Sequence, residues 1–293
     1  MRTQLKADLA LILIALFWGF ANVLTKIGLD DLAVFNLIAI RFSLSFAVFV
    51  IVFWQRIKRA DRQTVVYSAT LATILFLVYC FATFGLSLTS VSNASFLMCL
   101  ASLFIPFLAF VFQKKKPETK VLLSIGLAIL GVGLISVTSF SALNLGDLLC
   151  LGCSLAFAIH IMVTEKYTKQ VDPVALSVIQ LGFVSLYALA ATFLFESPTL
   201  PTTTFSWLIL IVLSILCTAL AFIIQTVAQK YTTSMHTGLI LTLEPLFGAA
   251  FAFIILNEVL PPKSYLGDAL LIVSILLVEI DLPWPKKAFK EVE

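Results

Sequence analysis

The chain has 293 residues, of which 61% are hydrophobic and 12% charged, and its mean hydropathy is +1.08. This composition excludes an ordinary soluble domain, in which roughly half of the residues are apolar and about a quarter are charged. The net charge of +3 is small. The positions of the basic residues account for it without a nucleic-acid partner.

Ten apolar stretches of spanning length alternate with short charged segments. A helix needs roughly 20 such residues to cross the hydrocarbon core of a bilayer. The sequence therefore predicts an all-α integral membrane protein with ten transmembrane helices and short connections. The predicted spans are 7–27, 33–53, 65–87, 92–112, 119–138, 146–165, 173–195, 205–228, 233–254 and 264–280.

The basic residues predict the orientation of these helices. Sixteen of the nineteen Lys and Arg residues fall on the same side, in the terminal segments and in alternate loops. Lys and Arg favour the cytoplasmic side in short loops. Both termini are therefore predicted to be cytoplasmic, in a cell membrane of the inner or plasma type.

The chain repeats itself at an offset of 139 residues, which predicts a duplicated five-helix unit with repeats at 1–140 and 141–293. Because each unit has an odd number of spans, the second copy enters the membrane inverted, as in many secondary transporters. The lysine-rich loop 113–120 and its counterpart 257–263 agree with this, because they differ in charge. The residues that this offset aligns are Asp8 with Asp147, Thr25 with Thr164, Arg41 with Gln180, and Pro106 with Pro245.

The ninth span places a carboxylate, Glu244, in the middle of the membrane. An ionised group there costs at least about 2.5–3.5 kcal/mol, so it is expected to face protein or a water-filled cavity. Pro245 follows and is predicted to open the helix, with Pro106 as the equivalent hinge of the fourth span. Glu244 is a candidate to bind a cationic group, to carry a coupling proton, or to brace the bend by pairing with another buried polar group.

Polar and aromatic side chains inside spans are the other candidate substrate contacts, since each must be satisfied within the protein. Trp18 and Asn22 of the first span are four residues apart and share a helical face. Tyr79 and Thr83 of the third span share a face in the same way. For both pairs, packing or hydrogen bonding between helices is the alternative.

Further candidates lie in the fourth, sixth and eighth spans. Thr218 and Gln225 are seven residues apart, or two helical turns, and predict a polar stripe that either meets substrate or joins helices. Ser95 and Met98 lie in the first half of the fourth span. His160 is a candidate for proton transfer near neutral pH, and simple hydrogen bonding is its alternative role.

Arg41 lies eight residues into the second span, too deep for comfortable contact with lipid. It is predicted either to extend outward to the membrane surface or to pair with a carboxylate such as Asp30 or Asp31. The cysteines Cys150 and Cys153 form a CxxC within the sixth span, without a second pair. They are predicted to be small core residues, and no metal is expected.

The segment 222–277 resembles the second repeat of the EamA family, in the drug/metabolite transporter superfamily. The residues that carry the resemblance are the pair Glu244 and Pro245, a glutamate thirteen residues on at Glu258, and a glycine nine residues later at Gly267. The first half is similar too, with a WG-x-x-N pattern at 18–22 and an arginine in the second span. In one loop, Lys114–Lys116 stand where the family usually has a glutamate.

The resemblance implies transport of small metabolites through a central cavity without ATP hydrolysis, and it fixes no substrate. It also implies that Arg41 lies on a structural helix at the edge of that cavity. We expect a secondary transporter that exports a small polar or amphipathic metabolite, with amino acids among the candidates, by facilitated diffusion or proton exchange. Uptake is the alternative direction.

A membrane-embedded enzyme acting on lipid is the alternative from another class. No Ser-His-Asp grouping, HExxH motif or phosphate-binding loop is present in the sequence. An enzyme is therefore not expected, nor is a cofactor. The expected partners are the bilayer, a small-molecule substrate and protons, and the apolar sequence fits a monomer as well as a homodimer.

Overall fold

The computed structural model describes residues 2–113, 144–259 and 262–279, with six isolated helical residues between 123 and 134. Within these ranges the chain forms helices and connecting turns, and no strand. The helices are α1 (Arg2–Gly28), α2 (Val34–Val52), α3 (Trp54–Ile57), α4 (Arg62–Leu88), α5 (Val91–Cys99), α6 (Ala101–Gln113), α7 (Leu145–Thr168), α8 (Pro173–Phe195), α9 (Thr204–Ser214), α10 (Ala221–Gln229), α11 (Ser234–Leu241), α12 (Glu244–Leu256) and α13 (Pro262–Glu279).

Seven helical segments of the described chain are long and apolar enough to cross a membrane. They are α1, α2, α4, the pair α5–α6, α7, α8 and the continuous run α9–α10. The predicted ninth span is divided into α11 and α12, and the tenth corresponds to α13. Most of the predicted fifth span, 119–138, and the lysines 114–116 lie outside the described residues. The prediction of an all-α, multi-pass membrane protein is confirmed.

The surface of the helix bundle is apolar and its interior contains many polar side chains. Ile51, Phe193, Leu194 and Phe195 are all more than 70% exposed. In contrast, Arg41 is 3% exposed and many serines, threonines and glutamines are buried. This distribution suits a protein surrounded by lipid, because polar groups must find partners inside the bundle.

The two ends of the bundle can be distinguished by contacts between loops. We call the end at which α1 begins the near end, and the end at which α1 finishes the far end. At the far end, Lys26 Nζ donates hydrogen bonds to the carbonyls of Leu86 and Thr89, at 2.6 and 2.9 Å, and so caps the C-terminus of α4. At the near end, the rings of Tyr67 and Tyr167 stack with centroids 3.8 Å apart. The far end therefore holds loops 29–33, 89–90, 196–203 and 257–259, and the near end holds loops 58–61, 169–172 and 230–233.

Carboxylates at the far end bind the N-termini of helices from other segments. Glu196 accepts hydrogen bonds from the backbone N–H groups of Phe35 and Asn36, at 3.0 and 2.9 Å, in the first turn of α2. Glu258 accepts from the N–H groups of Val91 and Ser92, both at 3.1 Å, in the first turn of α5. A carboxylate at this position satisfies orphan donors and complements the helix dipole. These contacts fix the loops against α2 and α5.

A further contact joins two far-end loops. Asp31 accepts hydrogen bonds from the hydroxyl and the backbone N–H of Thr202, at 2.7 and 3.0 Å. These bonds hold the pKa of Asp31 below its usual value. Asp31 is therefore engaged with the loop before α9.

At the near end, α11 is bound by two carboxylates. Glu165 of α7 accepts from the N–H of Ser234 at 2.8 Å and from its hydroxyl, and also pairs with Lys169 at 2.7 Å. Asp8 of α1 lies 3.0 Å from His236 Nε2. The first turn of α11 is thus tied to both α1 and α7.

The transmembrane run that begins at α5 and the one that begins at α11 are each broken near the middle. The first break is at Leu100, between α5 and α6, and the second is at residues 242–243, between α11 and α12. Pro245 is in the first turn of α12, whereas Pro106 is the sixth residue of α6. A proline is tolerated in a first turn and costs a hydrogen bond in a helix interior.

The helix bounds do not follow a single offset along the chain. The first residues of α2 and α8 differ by 139, but those of α5 and α11 differ by 143. Pro106 and Pro245, which offset 139 aligns, therefore occupy different places, one in a helix interior and the other in a first turn. The residues that correspond to Glu244 and Pro245 at offset 143 are Ala101 and Ser102.

Candidate functional site

A cavity of about 90 Å³ lies in the interior of the bundle. On α1 and α4 it reaches Thr25 and Leu86, close to the far end, whereas on α7 it stops at Ile161. The lining combines aromatic, small and charged side chains. They are Trp18, Ala21, Asn22, Thr25, Arg41, Val78, Tyr79, Ala82, Thr83, Leu86, Met98, Cys99, Ala101, Ser102, Cys153, Phe157, Ile161, Phe222, Gly238, Leu241 and Glu244.

Glu244 is the carboxylate of this cavity. Asn22 Nδ2 donates to Glu244 Oε1 and to Ser95 Oγ, each at 3.0 Å. Glu244 starts α12, immediately after the helix break, so the break places its side chain beside α1. No ion pair of Glu244 is present among the described residues. The carboxylate is therefore held by one amide and remains available to a cation or a proton.

The approach of α12 to α1 depends on two glycines. A Cβ on Gly19 would lie 2.7 Å from the backbone nitrogen of Gly248 and 2.9 Å from the carbonyl oxygen of Glu244. A Cβ on Gly248 would lie 2.6 Å from Ser95 Oγ. Backbones can approach this closely only where side chains are absent. These glycines thereby bring Glu244 within hydrogen-bonding distance of Asn22.

Arg41 is the cationic group of the cavity. Its Nε donates to Thr218 Oγ1, its Nη1 donates to Thr25 Oγ1 at 3.3 Å, and its guanidinium lies 4.9 Å from the centroid of the Tyr79 ring. None of the ion pairs in the described chain includes Arg41. The expectation that Arg41 extends to the surface or pairs with Asp30 or Asp31 is therefore wrong, because hydroxyls and an aromatic face satisfy it inside the bundle.

Aromatic rings form the wall of the cavity next to Glu244 and Asn22. Trp18 contacts Phe157 edge-on with centroids 5.4 Å apart, and it also contacts Phe222 at 5.3 Å. The indole Nε1 of Trp18 donates to the carbonyl of Cys217 at 3.2 Å. The ring of Tyr79 lies 6.1 Å from that of Phe222. The cavity thus offers a carboxylate and a guanidinium among apolar faces, which suits an amphipathic molecule.

Six of the ten candidate substrate contacts line the cavity: Trp18, Asn22, Tyr79, Thr83, Met98 and Glu244. Ser95 lies behind the lining and bonds to Asn22. Among the three residues treated as structural, Arg41 lines the cavity, and Pro106 and Pro245 do not.

The remaining three candidates are buried and do not line the cavity. His160 Nε2 accepts from Gln180 Nε2 at 3.0 Å, and both atoms of the Gln225 amide have no partner among the described residues. Thr218 lies in a π-helical turn, Ile215–Leu220, and donates to the carbonyl of Leu213 at 2.7 Å. A π turn has a wider repeat than an α turn. The predicted stripe from Thr218 to Gln225 is therefore interrupted, because it assumed a regular α-helix.

Phe157, Phe222, Cys153 and Thr25 line the cavity but were not among the predicted contacts. An isolated phenylalanine in an apolar span looks the same whether it faces lipid or substrate. A signal did exist for Phe157, because the offset of 139 aligns it with Trp18. Thr25 was noted only as a marker of the repeat.

A bundle of apolar helices around a cavity that contains charged groups defines a class of protein, the polytopic membrane carriers. The model of the EamA-like transporter family matches residues 5–137 and 144–280, nearly the whole chain. The chain belongs to this family, within the drug/metabolite transporter superfamily.

Curated relatives agree with this assignment. Two proteins of Archaeoglobus fulgidus, each named "Uncharacterized transporter", are 28% identical to the chain over 278 and 284 residues. The first alignment covers 94% of this chain and 87% of the relative, and the second covers 93% and 96%. A solved crystal structure shares the fold, with a TM-score of 0.69 at 16% identity over 93% of this chain and 96% of the other.

Proposed function

We propose that the protein is a secondary transporter built from ten transmembrane helices as two inverted five-helix repeats, 1–140 and 141–293. Contacts that recur with their roles exchanged support this architecture. Ser43 of α2 bonds to Ser185 of α8 at 2.7 Å, and Gly182 of α8 packs against the ring of Phe46 of α2. At offset 139, Ser43 corresponds to Gly182 and Phe46 to Ser185.

The broken helices supply a second exchanged pair at their own offset of 143. Gly248 of α12 packs against Ser95 of α5, and Gly238 of α11 packs against Ile105 of α6. At this offset, Ser95 corresponds to Gly238 and Ile105 to Gly248. Two independent exchanged contacts are expected of a pseudo-twofold axis in the membrane plane.

The same proposal places the near end and both termini in the cytoplasm, at the inner or plasma membrane. Support comes from the lysines and arginines, most of which lie in or beside the near-end loops, in the predicted loop 113–120 or in the terminal segments. Lys26 is one of the few exceptions, and it has a local electrostatic role at the C-terminus of α4.

The transported molecule in this proposal is a small amphipathic metabolite that leaves the cell by alternating access, either by facilitated diffusion or in exchange for protons. The observation that carries the proposal is the Glu244 carboxylate, held by Asn22 on a cavity between the halves. Burying a carboxylate in a membrane interior costs free energy, so its presence there indicates a function. Binding a cationic group or a proton are the two roles that this position supports.

Proteoliposome flux tests the proposal. Purified protein is reconstituted and assayed with a panel of radiolabelled amino acids, amines, organic acids and sugars, with and without a pH gradient. We expect Glu244→Gln to reduce flux of the transported compound at least about tenfold, because the amide keeps the hydrogen bond but neither charge nor proton. Asp61→Asn, a matched change at the exposed cap of α4, is expected to transport like the wild type.

Two results would contradict the proposal. Wild-type protein that moves no compound of the panel faster than protein-free liposomes would argue against transport. Full flux in the Glu244→Gln protein would remove the assigned role of that carboxylate. Size-exclusion profiles in detergent check that each variant is folded.

A further inference from the structure

The cavity is asymmetric with respect to the two repeats. At its centre, equivalent residues from both repeats line it, such as Trp18 and Phe157, or Asn22 and Ile161. Toward the far end, it continues along Ala21, Thr25 and Arg41 of the first repeat. The residues that correspond to these three at offset 139 are His160, Thr164 and Gln180 of the second repeat. None of them lines the cavity, and each is at most 2% exposed.

Two of these residues, His160 and Thr164, belong to a buried polar cluster in which several atoms lack partners. His160 Nδ1 and Thr164 Oγ1 on α7 have no hydrogen-bond partner among the described residues. The same holds for both amide atoms of Gln225 and for Gln229 Oε1 on α10. We call these four residues the near-end polar cluster.

The near-end polar cluster joins one face of α7 to one face of α10. Gln229 Nε2 donates to the carbonyl of Ile161 at 3.1 Å, and the rings of His160 and Phe222 lie 6.1 Å apart. Phe222, Gln225 and Gln229 follow each other at helical spacing on α10. The cluster therefore extends from the cavity wall at Phe222 toward the near end.

Burying polar atoms without partners costs free energy that water or substrate would recover. If α7 and α10 only packed against each other without water, apolar residues would be expected at their interface. Ala188, buried on α8, is an example of such a residue elsewhere in the bundle. Four side chains with unpartnered atoms lie on these two facing helices, and at offset 139 three of them correspond to the cavity-lining residues Ala21, Thr25 and Leu86. They therefore indicate a surface that is hydrated in another conformation.

We propose that the near-end polar cluster lines the second half of the translocation path, closed in this conformation and water-filled in the alternate one. This inference rests on the proposed inverted repeats and deepens the proposed transport function. The lining would bind neutral hydrogen-bonding groups of the substrate, such as hydroxyls and amides, because its donors and acceptors are imidazole, hydroxyl and carboxamide. The half of the path toward the far end differs in its chemistry, because Arg41 gives it a positive charge.

Site-directed thiol labelling tests this assignment in the full-length chain. The five native cysteines are replaced by alanine or serine, and single cysteines are introduced as Thr164→Cys, Gln225→Cys and, for the far half, Thr25→Cys. Ala188→Cys is the control for dry packing. A membrane-impermeant sulfonated methanethiosulfonate is applied to inside-out and right-side-out vesicles, and unreacted thiols are counted by a gel shift with maleimide-polyethylene glycol.

We expect the cysteines at 164 and 225 to react at least about tenfold faster than the one at 188, and only from the side of the near end. The cysteine at 25 should react from the opposite side. Equal rates at 164, 225 and 188 would overturn the proposal and leave a permanently dry interface. Reaction at 164 from the far side would overturn it too, because the cluster would then belong to the open half.

A second measurement uses the native cysteines and does not depend on that background. Thr164→Val removes an unpartnered hydroxyl and keeps the shape, so we expect Tm to rise by a few degrees and flux to fall severalfold as the closed arrangement becomes favoured. Thr25→Val should instead lower Tm, because Thr25 accepts a hydrogen bond from Arg41. A lower Tm for Thr164→Val would mean that the hydroxyl is already satisfied, and would overturn the proposal.

The outcome can be separated from that of the proposed function. Flux of the radiolabelled panel in wild-type proteoliposomes reports transport, whichever residues line the path. Flux with no labelling at 164 and 225 contradicts this inference alone. Absence of flux in the wild-type protein contradicts the proposed function, while the labelling and Tm results still decide whether the cluster opens to water.

Discussion

The two broken helices of the bundle share a shape but differ in chemistry. The breaks at Leu100 and at 242–243 each fall near the middle of a transmembrane run, yet only the second is followed at once by a carboxylate and a proline. In the first, Ala101 and Ser102 occupy those positions. A break therefore forms without a proline in the first turn. In the inverted repeats that we propose, the break is common to both halves, whereas the carboxylate belongs to the second.

The largest expected effect concerns the packing around these breaks. Gly248→Ala would place a methyl group 2.6 Å from Ser95 Oγ, where it forces α5 and α12 apart and breaks the hydrogen bond from Asn22 to Ser95. We expect loss of most transport and a Tm lower by several degrees, measured by flux and by thermal unfolding in detergent.

Gly238→Ala is the matched change in α11, the other part of the same broken helix. Its methyl group would meet the Cδ1 end of Ile105 at 2.9 Å, and this flexible side chain can move aside. We expect a clearly smaller loss of Tm than for Gly248→Ala. Equal losses would mean that the contact of Gly238 with Ile105 is as tight as that of Gly248 with Ser95.

An intermediate effect is expected from the prolines. Pro245→Ala should leave the break in place and keep flux within about threefold of the wild type, because the break at Leu100 forms without a proline in the first turn of α6. Flux and the rate of labelling of a cysteine at 25 measure this. A tenfold loss would show that the ring itself positions Glu244.

Pro106→Ala provides the contrast within α6. Pro106 is in the helix interior and leaves the carbonyl four residues earlier without its usual donor. An alanine restores that donor, so we expect an unchanged or higher Tm. A lower Tm would indicate that Pro106 packs better than an alanine can.

The smallest effects are expected from the carboxylates that bind the first turns of α5 and α11. Glu258→Gln and Glu165→Gln each leave one neutral acceptor and remove the charge, and we expect each to destabilise its helix N-terminus by about 1 kcal/mol. Thermal unfolding measures the change, and flux should stay within about threefold. A much larger effect for Glu258→Gln would mean that the far-end loop also fixes the cavity.

The sequence predicted most helix bounds within a few residues. The predicted spans 33–53 and 173–195 correspond to Val34–Val52 and Pro173–Phe195. This accuracy has a physical origin, because a bilayer requires long apolar runs and charged or turn-forming residues end them abruptly. The break at Leu100 was not predicted, since nothing in the local sequence interrupts the helix before Pro106.

The candidate site was predicted in part, for a different reason. Glu244 and Asn22 stood out because polar groups are rare inside spans, and they bond to each other across the cavity. Phe157 and Phe222 did not stand out, because the sequence does not show whether a phenylalanine in an apolar span faces lipid or the cavity. The surroundings of Arg41 also escaped prediction, as they depend on the π turn that presents Thr218 to its guanidinium. Such a turn depends on tertiary packing.

At the far end of α8, three exposed apolar side chains, Phe193, Leu194 and Phe195, come directly before Glu196, which caps α2. Apolar side chains and a carboxylate are thus adjacent in the chain, at a corner where α8 ends and α2 begins. Moving this corner into the hydrocarbon core would bury the charge of Glu196, and moving it toward water would expose Phe193 and Phe195 to solvent. In a bilayer of unsuitable thickness, the lipid around this corner should therefore deform, or the whole bundle should lean, before α8 moves along its own axis.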